Sequence, residues 1–115
     1  MRVEGCVSEK SKRIAELNDE LRRTFEGGLV VQTPGIEALG PELVARVHEG
    51  VRAFAAFTPD NDPHGEHDFG SLRLEGRIVF WKVDYHDRRG RCHSPDPADP
   101  EKTLRVLTVM LAEEY

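Results

Sequence analysis

The sequence predicts an α+β domain in which a small, mainly antiparallel sheet containing a β-hairpin packs against three helices, in the order α-β-α-β-β-α. Three observations carry this expectation. Apolar residues recur at three- and four-residue spacing in two segments of the first half, apolar and β-branched runs flank Glu75-Gly76 in the second, and glycines and prolines punctuate the chain between them. With 115 residues the chain is long enough for one core and short for two. It reads as an N-terminal extension over 1–10 and a single domain over 11–115.

Between Ser8 and Phe25, the residues Ile14, Leu17, Leu21 and Phe25 mark one side of an amphipathic helix that Gly27-Gly28 ends. Leu29 to Thr33 is apolar and β-branched, hence a strand, and Pro34-Gly35 stops it in a turn. Gly40-Pro41 opens a second helix carrying Val44, Val47, Val51 and Phe54 on one face, weakened but not cancelled by Gly50.

Ser71–Leu74 and Arg77–Tyr85 around Glu75-Gly76 then form a two-residue hairpin. That turn pairs Leu72 with Val79 and Gly70 with Trp81. It places Leu72, Leu74, Val79, Trp81, Val83 and Tyr85 on one face, the core face, with Gly70 leaving room for the indole. Continued past Gly70, the same pairing sets His67 opposite Asp84, on the face that carries Phe80, Lys82 and His86. His93 to Pro100 is an extended linker. Asp99 as N-cap and Pro100 at the first helical position would open a last helix running to Tyr115, with Leu104, Val106, Leu107, Val109, Met110 and Leu111 covering more than one stripe.

A hydrophobic fraction of 38% with 32% charged residues suits a folded domain rather than a disordered chain. No apolar run reaches membrane-spanning length, and the N-terminus has no signal-peptide core, so a cytoplasmic location without membrane contact is expected. Cys6 and Cys92 read as free thiols in that compartment, with a disulfide between them the lesser option. The net charge of −5 is unevenly distributed. Residues 58–70 hold four acidic groups and neither Lys nor Arg, whereas Arg73, Arg77, Lys82, Arg88, Arg89 and Arg91 cluster in and after the hairpin. The overall charge argues against non-specific nucleic-acid binding, and the basic cluster leaves direct contact with nucleic acid as a lesser option.

Chemistry concentrates in Thr58–Gly70, which holds four acidic residues and two histidines. Asp60, Asp62, His64, Glu66, His67 and Asp68, with Asp84, are the candidate binding residues. His64, Glu66, His67, Asp84 and His86 could offer imidazole and carboxylate to a divalent transition metal. Their spacing matches neither an EF-hand loop nor the His-Glu-x-x-His helix of zinc proteases. A His67–Asp84 pair could orient an imidazole as base or ligand, or simply fasten the loop to the strand. Asp and Asn before proline equally serve to hold turns, as over Asp60-Asn61-Asp62-Pro63. His48 and His93 read as surface or packed residues, and the register turns Trp81 and Tyr85 inward, away from base stacking. Glycine-rich phosphate loops, Ser-His-Asp ordering and Cys-x-x-Cys pairs are all missing from the sequence.

Phe57-Thr-Pro-Asp-Asn-Asp-Pro-His-Gly-Glu-His-Asp-Phe-Gly70, Val79-Phe-Trp-Lys-Val-Asp-Tyr85 and Ser94-Pro-Asp-Pro-Ala-Asp-Pro100 through Leu107–Tyr115 together resemble a bacterial domain-of-unknown-function family. Its members are small proteins common in Alphaproteobacteria and on plasmids and other mobile elements. The resemblance covers about Ile14 to Tyr115. It implies an accessory protein of mobile elements and brings no catalytic residue or cofactor with it. The expected role is therefore non-catalytic binding of a macromolecule, chiefly a protein, and in its most concrete form inhibition of a host defence or restriction system. No cofactor is expected under that reading. The alternative is a metal-dependent hydrolase or nuclease using the loop over 60–68.

Overall fold

A computed structural model describes residues 8–115. Helix α1 spans Glu9–Thr24; Ser8 caps it, its hydroxyl accepting the Ser11 N–H at 3.1 Å, and it ends at Phe25 in the left-handed conformation. Strand β1 is Leu29–Gln32, followed by the short helix α2 at Pro34–Glu37 and helix α3 at Pro41–Ala53. The hairpin strands β2 and β3 are Phe69–Leu74 and Arg77–His86, and β4 is Leu104–Leu111, followed by a 3-10 turn at Ala112–Glu114. The four strands form one mixed sheet in the order β1-β4-β3-β2, with β1 parallel to β4 and the other pairs antiparallel.

The α+β class, the hairpin and a total of three helices are as the sequence predicts, although the third helix is α2 and not the C-terminal segment, and the hairpin register matches residue for residue: Gly70 with Trp81, Leu72 with Val79. A side chain at Gly70 would collide with the Trp81 indole. The predicted core face is the buried one, with Val79, Trp81, Val83, Leu107 and Val109 meeting Ile14, Leu21, Ile36, Val47 and Val51 from the helices. Two details differ. Pro34-Gly35 begins the short helix α2 rather than a simple turn.

The larger correction concerns the C-terminal segment, where the stretch from Leu104 is a strand and only Ala112–Glu114 is helical. It pairs on both sides, and Arg105, Leu107 and Val109 alternate inward. A central strand with apolar residues on both faces imitates a helix that is apolar all round. Asp99 and Pro100 accordingly belong to a turn: the Asp99 carboxylate accepts the Glu101 N–H at 2.9 Å and its carbonyl accepts the Lys102 N–H at 3.1 Å.

Candidate functional site

The acidic loop is held by its own side chains and by helix α1. Asn61 Oδ1 accepts the Thr58 N–H at 2.9 Å and Asn61 Nδ2 donates to the Ala56 carbonyl at 3.0 Å, which closes the turn before Pro63. The Asp62 carboxylate, nearly buried, accepts the His67 N–H at 3.2 Å. His67 has a positive φ of 56°, unusual for a side-chain-bearing residue. That kink ends the ladder: the last hairpin pair is Phe69 with Lys82, joined beyond it by the Val83 N–H donating to the Asp68 carbonyl.

His67 therefore does not meet Asp84. Its Nδ1 donates to Asp19 on α1 at 3.0 Å, its Nε2 faces Asp62 at 3.7 Å, and its ring stacks on Phe57 at 3.9 Å. With Asp19 bonded at one nitrogen, the Asp62 carboxylate near the other and an aromatic ring on one face, the imidazole clamps the loop to α1. Asp84 instead pairs with Lys82 at 3.0 Å.

Two arginines complete the frame. Arg22 is fully buried; it donates to Asp19 at 2.8 Å and to the carbonyls of Val51, Arg52 and Phe54, which end α3. Arg105 reaches from β4 to Asn18 Oδ1 at 2.9 Å and to the Pro97 carbonyl, lying against the Tyr85 ring. Asn18 in turn donates to the Tyr85 hydroxyl at 2.9 Å and the Glu66 carbonyl at 3.0 Å, and Tyr85 donates to the Glu66 carboxylate at 2.9 Å. Burial pushes the Tyr85 phenol well above its ordinary range, which keeps it a donor.

No motif in the sequence marks Asn18, Asp19, Arg22 or Arg105. A signal existed: Asn18 and Arg22 lie four and eight residues after Ile14, on the helix side otherwise given to Leu21 and Phe25. Polar residues on an apolar stripe must find buried partners.

The remaining candidates are distributed differently. Asp60 and His64 are exposed on the loop. Asp68, Asp84 and His86 line a cleft of about 440 Å³ together with Val83, Tyr85, Arg91, Cys92 and His93. Its outer wall is the return loop after β3, fixed by the Asp87 N–H to the Cys92 carbonyl at 2.7 Å and the Ser94 N–H to the Tyr85 carbonyl at 3.0 Å. Burial, and then the neighbouring Glu66 carboxylate, hold the Asp68 carboxyl above its ordinary value. Cys92 is exposed and forms no disulfide among the described residues; Cys6 lies outside them. The proposed metal set of His64, Glu66, His67, Asp84 and His86 is not brought together: among the described residues, no three His, Cys, Asp or Glu side chains are grouped to hold an ion. Nor does any described helix have the length and apolarity to cross a membrane.

These features define a two-layer α+β protein with a braced acidic loop beside a polar cleft. The chain belongs to the DUF3768 family, described as protein of unknown function, whose profile matches residues 32–114. No curated protein and no solved structure matches it.

Proposed function

We propose that this protein is a non-catalytic binding protein that presents its acidic loop to a basic surface of a protein partner. The observation that carries this reading is the bracing of the loop: Asn61, Asp62, His67 and Asp19 spend their polar groups holding it, while Asp60 and His64 face outward. A loop rigid before contact loses little entropy on binding, and its charge attracts a basic partner over distance. In its finer form the proposal is an accessory protein of mobile elements in the bacterial cytoplasm that inhibits a host defence or restriction system. The family resemblance and small size motivate that form. Affinity capture from a native host lysate tests it. Wild type should retain a partner that Asp60→Lys loses, and recovery of the same proteins by both, or of none, removes the reading.

A second reading rests on the cleft, where an Asp68 carboxyl held above its usual value beside His86 and His93 suits acid–base chemistry. A hydrolase using the cleft predicts turnover of a model ester or phosphodiester that Asp68→Asn abolishes. Activity unchanged by that substitution excludes it. The metal-dependent version over 60–68 has weaker support, since its donors are dispersed.

A further inference from the structure

Helices α1 and α3 pack against the core face of the sheet; on the opposite face the C-terminal turn and Tyr115 lie against the end with Phe69 and Phe80, where Met110 is buried, and the rest is open. On that face the β-ladder sets side chains in rows. Leu29, Val106 and Asp84 stand side by side in one row, and Val31, Thr108, Lys82 and Phe69 in the next. Leu29 is 51% exposed and Val31 43%, and the side chains of Lys82 and Asp84 are 36% and 43% exposed. Phe69, Phe80 and Tyr115 form an aromatic cluster beyond them, with Tyr115 75% exposed. Large apolar groups in adjacent rows of an uncovered sheet mark a surface that is normally covered.

We propose that this open face is a dimer interface, occupied by a second copy of the same chain packed sheet to sheet about a two-fold axis level with Val83. The inference goes beyond the acidic-loop reading and does not depend on it. An axis running across the strands between the two rows, over Val30, Leu107 and Val83, reverses strand direction but keeps each strand opposite its own copy. One copy's first row then meets the second row of the other. Leu29 faces the partner's Val31, Val106 faces the partner's Thr108, and Asp84 faces the partner's Lys82. The same operation sets Phe80 opposite the partner's His86.

The match is self-complementary in both polarity and charge, as an isologous interface requires. Each Lys82–Asp84 pair, 3.0 Å apart within its own chain, joins its copy in a ring of alternating sign. Such a ring adds little net affinity but penalises every other register. Sheet twist turns the two strand sets about 30° apart, so the pairings are tightest near the axis. About this axis β1, β4 and β3 overlap their own copies over roughly three, seven and seven residues, which at about 4.8 Å strand spacing and about 3.3 Å rise gives about 270 Å² per copy, or about 540 Å² in all. That area lies below the range of stable specific interfaces and suits a weak, transient one. The dimer should therefore be concentration-dependent rather than obligate.

Sedimentation velocity across micromolar to millimolar concentrations tests this, with circular dichroism confirming that each variant is folded. Wild type should shift from monomer to dimer. Val31→Glu and Lys82→Glu should each weaken dimerisation by about a hundredfold, the second by setting a new carboxylate against the partner's Asp84. The double variant Lys82→Glu/Asp84→Lys, which restores opposite charges across the axis, should recover dimerisation. A wild type that stays monomeric throughout overturns the proposal. So does a dimer indifferent to both single substitutions, or a double variant no better than Lys82→Glu alone. Asp60→Lys should leave the dimer unchanged, which separates this surface from the acidic loop.

Discussion

The two faces of the sheet come from the same four strands, yet they do opposite work. On the inner face Val79, Trp81, Leu107 and Val109 are fully buried, and the Arg105 guanidinium and the Tyr85 hydroxyl that enter with them are hydrogen-bonded, while the Trp81 indole N–H has no partner among the described residues. On the outer face Leu29, Val31 and Ile78 remain exposed beside Lys82 and Asp84. Stability is concentrated on one side, which leaves the other free to change and to bind. Substitutions should separate the faces accordingly.

The largest effect is expected from removing what covers the inner face. A fragment of residues 32–114 keeps the family-matched segment but loses α1 and all of β1 except Gln32, and with them Asn18, Asp19, Arg22 and Leu21. His67, Tyr85 and Arg105 would then lose their α1 partners, at a cost beyond the stability of a small domain. Thermal melting followed by near-ultraviolet dichroism should show no cooperative transition; a sharp melt would break the comparison. Next comes Trp81→Ala, which empties the centre of the core and should cost about 3–5 kcal/mol in chemical denaturation.

A smaller effect, of opposite sign, is expected in the cleft. Because the folded state holds the Asp68 carboxyl above its ordinary 3.8, its ionised form opposes folding at neutral pH. That penalty fades as pH falls through the raised value and is gone below the ordinary one. Asp68→Asn should therefore raise the melting temperature near neutrality, with the gain over wild type shrinking towards pH 3.8. A gain independent of pH would show that charge is not its cause. The smallest effect belongs to the outer face: Tyr115→Ala should change monomer stability by less than about 0.5 kcal/mol, measured at concentrations too low for self-association.

How far the sequence reveals this arrangement depends on whether a residue's partners are local. The hairpin is legible because Glu75-Gly76 fixes its own register, and Gly70 opposite Trp81 follows by counting. Helix α1 is legible from its apolar stripe. Strand β4 is not, since its strandedness comes from neighbours on both sides, and Leu, Met and Ala around it suit a helix equally well. The candidate site divides in the same way. Asn61 and Asp62 hold the turn that their place before Pro63 suggests. The pairing of His67 with Asp84 fails because one left-handed residue ends the ladder, and the true partner, Asp19, lies 48 residues away on another element.

The parallel pairing of β1 with β4 sets an order of events for the growing chain. Leu29 is made early, yet its strand has a single place to dock, beside Val106, so the first strand must wait for the last. Closing so long a loop is slow compared with forming the hairpin between β2 and β3. On the ribosome the N-terminal third can form its helix but cannot find its place in the sheet until nearly the whole chain has emerged. Until then Val30 has no place against the core and the β1 backbone stays unpaired, and an unpaired apolar strand is prone to aggregation.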